Sequence, residues 1–157
     1  MKFIADAMLG RLAKQLRLLG FDVHYDPALT DNELLRIALS ENRIILTRDR
    51  GFASRPLAGN SLLIDADRVD DQISQFRAAF SREMPGHIPL TRCSVCNHAL
   101  IPLARQDARD RVPRHVYDRQ EEFLTCPECG RIYWRGSHVS RMARPQRGAQ
   151  TKSRSEG

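Results

Sequence analysis

The period of the apolar positions changes repeatedly along the first half of the chain, and each change marks a predicted element. Phe3, Ile4 and Ala5 form a short apolar run that ends on Asp6, which predicts a first strand. Leu9, Leu12, Leu16 and Leu19 then recur at helical spacing, and Gly20 supplies a stop. Phe21, Val23 and Tyr25 alternate as a strand does. Thr30 and Glu33 make a capping-box pair that opens a helix through Leu34, Leu35, Ala38 and Leu39. Residues 43–47 and 61–65 read as two more strands, and Val69, Ile73, Phe76 and Phe80 stripe a closing helix. Strand and helix alternate almost throughout, which predicts an α/β fold with a mainly parallel sheet flanked by helices. Such sheets place ligands at the carboxyl ends of their strands.

After Met84-Pro85-Gly86 the texture changes to scattered prolines, four cysteines and many arginines. We therefore divide the chain into residues 1–86, a small β-rich unit over 87–142, and a tail over 143–157. The tail has almost nothing to bury and is expected to be basic and disordered.

Composition narrows the class. Of 157 residues, 41% are hydrophobic and 28% charged, the balance of a soluble globular protein. The N-terminus reaches Asp6 before any long apolar core. No run approaches the roughly 20 apolar residues of a membrane helix. These features predict a cytoplasmic protein with no membrane partner. The net charge of +6 is uneven, because residues 1–86 hold 12 basic and 12 acidic residues and the whole surplus lies beyond them. We assign much of that surplus to residues 97–125 and the tail, and asymmetry of this kind suggests a polyanion partner.

The acids supply candidate chemistry. Asp6 and Asp49 each end a predicted strand, Asp65 and Asp67 end another, and Asp31 stands at a helix start. In a parallel sheet most of these carboxylates fall on one edge, where mutual repulsion calls for a cation or a raised pKa. Oxygen-only donors suit Mg²⁺ or Mn²⁺, and such ions serve phosphodiester hydrolysis by activating water. Each acid also has a plainer reading: Asp31 as a first-turn residue favoured by the helix dipole, and Asp65 or Asp67 as a cap. Arg11, Lys14 and Arg17 sit at spacings of three opposite the leucine stripe, as a solvated face or as holders of a phosphate backbone. Arg48, fixed beside Asp49, is the more pointed candidate for phosphate.

Cys93, Cys96, Cys126 and Cys129 form two C-x-x-C pairs separated by 29 residues and are the chain's whole cysteine complement. Paired knuckles fit a structural zinc site of four cysteines, here a ribbon with a protruding or extended insertion. Four thiolates complete the shell without His98 or His138. Tyr133 and Trp134, between Arg131 and Arg135, either stack on unpaired bases or pack the ribbon's core.

Taken together, the stretches FIADAMLGRLAKQLRLLGFDV, TDNELLRIA, RIILTRD and CSVC…CPECGRIYWRGSH resemble the Mut-seven C-terminal RNase domain family, PIN-like nucleases carrying a zinc ribbon. The resemblance covers about residues 2–140. It implies Mg²⁺- or Mn²⁺-dependent cleavage of single-stranded RNA. It also implies acidic positions at Asp6, Asp31 and Asp49, with a fourth near Asp65 or Asp67. Substrate contacts are assigned to Lys14, Arg17, Arg48 and Trp134. Two other readings are a Toprim-like site, since Asp65-Ala-Asp67 follows a strand, and a non-catalytic RNA- or ribosome-binding zinc-ribbon protein.

Overall fold

A computed structural model describes residues 1–136 of the chain. The tail expected at 143–157, and His138, lie outside the described residues. Four strands, β1 (Lys2–Ala5), β2 (Asp22–His24), β3 (Ile44–Thr47) and β4 (Ser61–Leu63), form one sheet in the order β2-β1-β3-β4. Every pairing is parallel. Helices α1 (Gly10–Leu18), α2 (Asp31–Glu41), α3 (Arg50–Ala53) and α4 (Val69–Ala79) occupy the connections.

Alternation along the strands sorts the core into two layers. Phe3 and Ala5 of β1 and Leu46 of β3 pack with Leu12 and Leu16 of α1 and Phe76 of α4. Ile4 and Ile45 face the other way, against Leu34, Leu35 and Ala38 of α2 and Phe52 of α3. A parallel sheet covered on both faces needs such apolar runs on its central strands. Local signals set the helix ends. Gly20 (φ +91°) closes α1, with Gly20 N–H donating to Arg17 O and Phe21 N–H to Leu16 O, the paired bonds of a Schellman stop. The Thr30–Glu33 box opens α2 as expected. Leu39, placed by its spacing on the apolar stripe of α2, is exposed instead.

A separate antiparallel sheet of order β5-β6-β7 contains β5 (Ile101–Leu103), β6 (Phe123–Thr125) and β7 (Ile132–Tyr133). The segment between β5 and β6 is not an open loop. It folds into α5 (Arg105–Ala108) and α6 (Arg114–Arg119), closed over a small core of Ala108, Val116 and Phe123. Nor does it hold the charge surplus assigned to it, because residues 97–125 contain five arginines and five acids. Most of the surplus belongs to residues 137–157, with five basic residues and one acid, outside the described residues.

The ribbon is packed onto the parallel sheet. Ile88 and Leu90 belong to the same buried cluster as Phe3 and Leu16, and Leu124 packs against that cluster. Arg17 makes the connection polar as well as apolar. Its spacing places it on the solvent face of α1 as a substrate contact, but it is only 3% exposed. Its Nε donates to Val23 O (2.9 Å), and one terminal nitrogen donates to Ser94 O (3.1 Å) and Val95 O (2.7 Å). The reason is position: Arg17 lies on the last turn of α1, over edge strand β2, where the first cysteine knuckle arrives. Asn97 completes the seam by accepting from Val23 N–H (3.3 Å) and donating to Asp22 (2.9 Å). Thus the ribbon covers the β2 edge, which would otherwise present unpaired backbone groups.

Candidate active site and metal centre

The chain leaves β1 towards β2 on one side and leaves β3 towards β4 on the other, so the sheet's topological switch point lies between β1 and β3. Ligands of open α/β sheets bind in the crevice outside the carboxyl ends of the strands at such a point. Asp6 follows β1, and Asp49 follows β3 by two residues.

Asp6 is fixed from several directions. Its N–H donates to Leu46 O (3.0 Å), extending the β1–β3 contact by one residue. Oδ1 accepts from Met8 N–H (2.9 Å), capping a 3-10 turn over Ala7–Leu9. Oδ2 accepts from the Thr47 hydroxyl and from Arg48 N–H, both at 2.7 Å. Asp49 caps α3 by accepting Phe52 N–H on Oδ1 (3.1 Å), and its own N–H donates to Thr47 Oγ1 (3.0 Å). A Cβ at Gly51 would lie 3.2 Å from that Oδ1, so glycine leaves the carboxylate uncrowded. One buried hydroxyl, Thr47, therefore joins the Asp6 carboxylate to the Asp49 backbone amide. Sequence reasoning about the acids passed over it. Its signal was a β-branched hydroxyl at the end of a buried apolar strand, immediately before Arg48 and Asp49.

The remaining acids do not close into a cage. Asp31, in the first turn of α2, pairs with Arg55 (3.0 Å), whose guanidinium stacks 5.0 Å over the Phe52 ring. Arg48 reaches Asp67 through its side chain while its amide holds Asp6. Asp65 accepts a hydrogen bond from Gln75. Among the described residues, the one group of three or more His, Cys, Asp or Glu side chains close enough to share an ion is the cysteine set. Lys14 is exposed on α1 together with Arg11, whereas Trp134 is half-buried beside the small core of the ribbon.

The cysteines do converge. Cys93, Cys96, Cys126 and Cys129 place their sulfurs within 4.8 Å of one another, with Cys93–Cys129 at 3.6 Å and Cys96–Cys126 at 3.3 Å. A tetrahedral zinc with bonds of about 2.3 Å requires sulfurs about 3.8 Å apart, so the set fits that ion. The two knuckles have matching backbones. Asn97 N–H donates to Cys93 O and Gly130 N–H to Cys126 O, and both donors are left-handed (φ +66° and +71°). Glycine and asparagine are the residues that tolerate this conformation.

Burial opposes ionisation of Cys93, but hydrogen bonds from the Tyr133 hydroxyl and the Val95 and Cys96 amides outweigh it and bring the thiol down to about 6. Burial and the crowding of neighbouring sulfurs push Cys96 up to about 12. One thiolate thus forms readily and resists the next, a conflict that a bound dication removes. Arg17 lies within reach of the same charge. Burial lowers its pKa from the ordinary value, while Cys93 and Cys96 oppose that shift.

A family model described as the Mut7-C RNAse domain matches residues 1–145. The chain belongs to that family. Neither a curated protein nor a solved structure matches it. The family match supports an RNA-related, nuclease-type function, and the cluster of four cysteines supports metal binding. Among the described residues, no helix is long and apolar enough to cross a membrane.

Proposed function

We propose that the chain is a PIN-like, Mg²⁺- or Mn²⁺-dependent endoribonuclease that hydrolyses single-stranded RNA at the switch point, with structural zinc in the ribbon. The observation that carries this reading is the Asp6–Thr47–Asp49 linkage in a chain whose family model is an RNase domain.

The acids suit a hard cation in a limited way. Asp6 accepts three protein hydrogen bonds, which leaves room for one further ligand on a carboxylate with about four lone-pair sites. Asp49 Oδ2 accepts from no donor among the described residues. Mg²⁺ is commonly held by one or two carboxylates with substrate phosphate and water completing the shell, and we assign that role to Asp6 and Asp49. When bound, the cation supplies an activated water and stabilises the charge of an in-line displacement. Asp31 joins the site only by leaving Arg55. Arg11, Lys14 and Arg48 line the route of the phosphate backbone, and exposed Arg131 with Trp134 adds affinity from the ribbon. In this reading the division at residue 86 is one of labour rather than of folding. A cytoplasmic setting, where thiols stay reduced, suits the four free cysteines.

A second reading, a non-catalytic RNA-binding protein, is favoured by the two ion pairs that neutralise Asp31 and Asp67. The two are separated by incubating the zinc-loaded chain with end-labelled RNA, single-stranded or duplex, with and without Mn²⁺. The nuclease reading expects cuts in the single strand only, and only with the cation. Tight binding without cleavage under any divalent cation establishes the second reading.

A further inference from the structure

Met8 presents a large apolar side chain at the acid edge, with 66% of its surface open. Its direction follows from the capped turn. Asp6 holds Met8 N–H on its side chain and Leu9 N–H on its carbonyl (3.1 Å), and Leu9 is fully buried in the core. With Leu9 facing in, Met8 faces out.

Tyr25 reaches the same turn through its hydroxyl. It follows β2, so it too stands past the carboxyl end of a strand, and it is half-buried, with part of its surface packed on the core of the sheet and the rest open. Its hydroxyl donates to Ala7 O (3.1 Å). Its ring lies over Gly10, where a Cβ would come 2.5 Å from the hydroxyl oxygen and 2.7 Å from Cζ. Gly10 is therefore the clearance that lets an aromatic ring rest on the residues beside Asp6, and the hydroxyl fixes the ring there. A pre-positioned aromatic and an open thioether flank the first acid of the candidate site.

We propose that Met8 and Tyr25 form a platform for one nucleobase of the RNA next to the scissile phosphate. The inference rests on the ribonuclease reading and names a base contact within it. Sulfur and aromatic faces pack favourably on one another and on bases without demanding a particular base. Only an unpaired base swings onto such a platform, so the platform gives a physical source for single-strand preference. The acids alone give none, because they address phosphate.

The test is a cycle between protein and RNA. Fluorescein-labelled single-stranded RNA of about ten nucleotides, within the usual single-strand footprint, is prepared intact and with one abasic ribose moved along it. Affinity for the full zinc-loaded chain is read by anisotropy without added Mg²⁺ or Mn²⁺, so that the RNA stays whole. Met8→Ala is expected to weaken binding to intact RNA about 5- to 10-fold, the scale of one lost base contact, with an unchanged melting temperature. At one abasic position the unaltered chain should lose the same factor and Met8→Ala should lose nothing more. Tyr25→Leu, which keeps an apolar body without the ring, should give the same position-specific pattern.

If Met8→Ala binds intact RNA like the parent, or its loss is the same for every abasic RNA, the platform is wrong. If the parent chain binds no RNA, both the platform and the ribonuclease reading fall. If the parent binds and cleaves RNA while Met8→Ala is indifferent, only the platform falls.

Discussion

Replacing Arg17 by methionine keeps much of the apolar stem but removes the fork that joins α1, β2 and the first knuckle. Three backbone carbonyls then lose their donor, those of Val23, Ser94 and Val95. Hydrogen bonds from a charged donor contribute roughly 1.5–3 kcal/mol each, and bonds sharing one guanidinium do not add in full. Each buried carbonyl left without a donor costs about 1–3 kcal/mol, less where water replaces the lost partner. We expect a loss of ~3–4 kcal/mol, a large part of the roughly 5–15 kcal/mol available to a domain. Arg17→Lys should recover little, since a point charge cannot bridge carbonyls on two elements. The assay is urea unfolding of the zinc-loaded full chain, read by far-ultraviolet circular dichroism and by release of zinc to a chromophoric chelator. Both signals should move together to lower urea. A loss under about 1 kcal/mol, or zinc release that shifts while the dichroism transition stays put, refutes the claim that ribbon and sheet fold as one.

Three further outcomes are expected. Thr47→Val, nearly isosteric, leaves Asp49 N–H without its acceptor and should cost about 1–3 kcal/mol. It should slow RNA cleavage roughly 10- to 100-fold by loosening Asp6 and Asp49, and Thr47→Ser should recover most of the rate; equal rates in all three proteins would rule out a positioning role. At Asp22, burial opposes ionisation, but hydrogen bonds from Arg43 and Asn97 and the charges of Arg43 and Arg92 outweigh it and hold the carboxyl below its ordinary value. A depressed folded pKa contributes stability above the unfolded value of about 3.9, lost as pH falls through the lower folded one. Asp22→Asn should therefore be less stable at neutral pH and converge with the parent in acid; a gap that persists unchanged to pH 2 contradicts this linkage. Stripping zinc with a strong chelator at pH 7 should lower the thermal midpoint of the entire chain in one transition, and a sheet melting at its zinc-loaded midpoint contradicts the shared core.

The alternating elements of the first half were legible because strand and helix periods there coincide with local stops and caps, as at Gly20 and at Thr30 with Glu33. The set of four cysteines was legible because ligand spacing is local in sequence. Arg17 was not. Helical spacing set it opposite the leucines, and nothing local shows that a knuckle more than 70 residues later closes over that face. Ile88 and Leu90 escaped for the same reason, since composition changes at Gly86 while the packing does not. The acids were legible one by one as strand ends, but their partners were not. Asp31 with Arg55 and Asp67 with Arg48 are contacts between separate loops. The Thr47 hydroxyl, which joins the Asp6 carboxylate to the Asp49 backbone amide at the switch point, is not an acid and so was passed over.

Single-turnover cleavage of single-stranded RNA by the zinc-loaded chain, compared with Asp49→Asn in Mn²⁺, tests the central claim most directly. Asn keeps the Oδ1 cap on Phe52 N–H but loses the negative charge. Asp49→Asn is expected to fold with the parent's zinc content and RNA affinity and to cleave at least about 100-fold more slowly. Cleavage at the parental rate, by a preparation freed of contaminating nuclease, would contradict the claim.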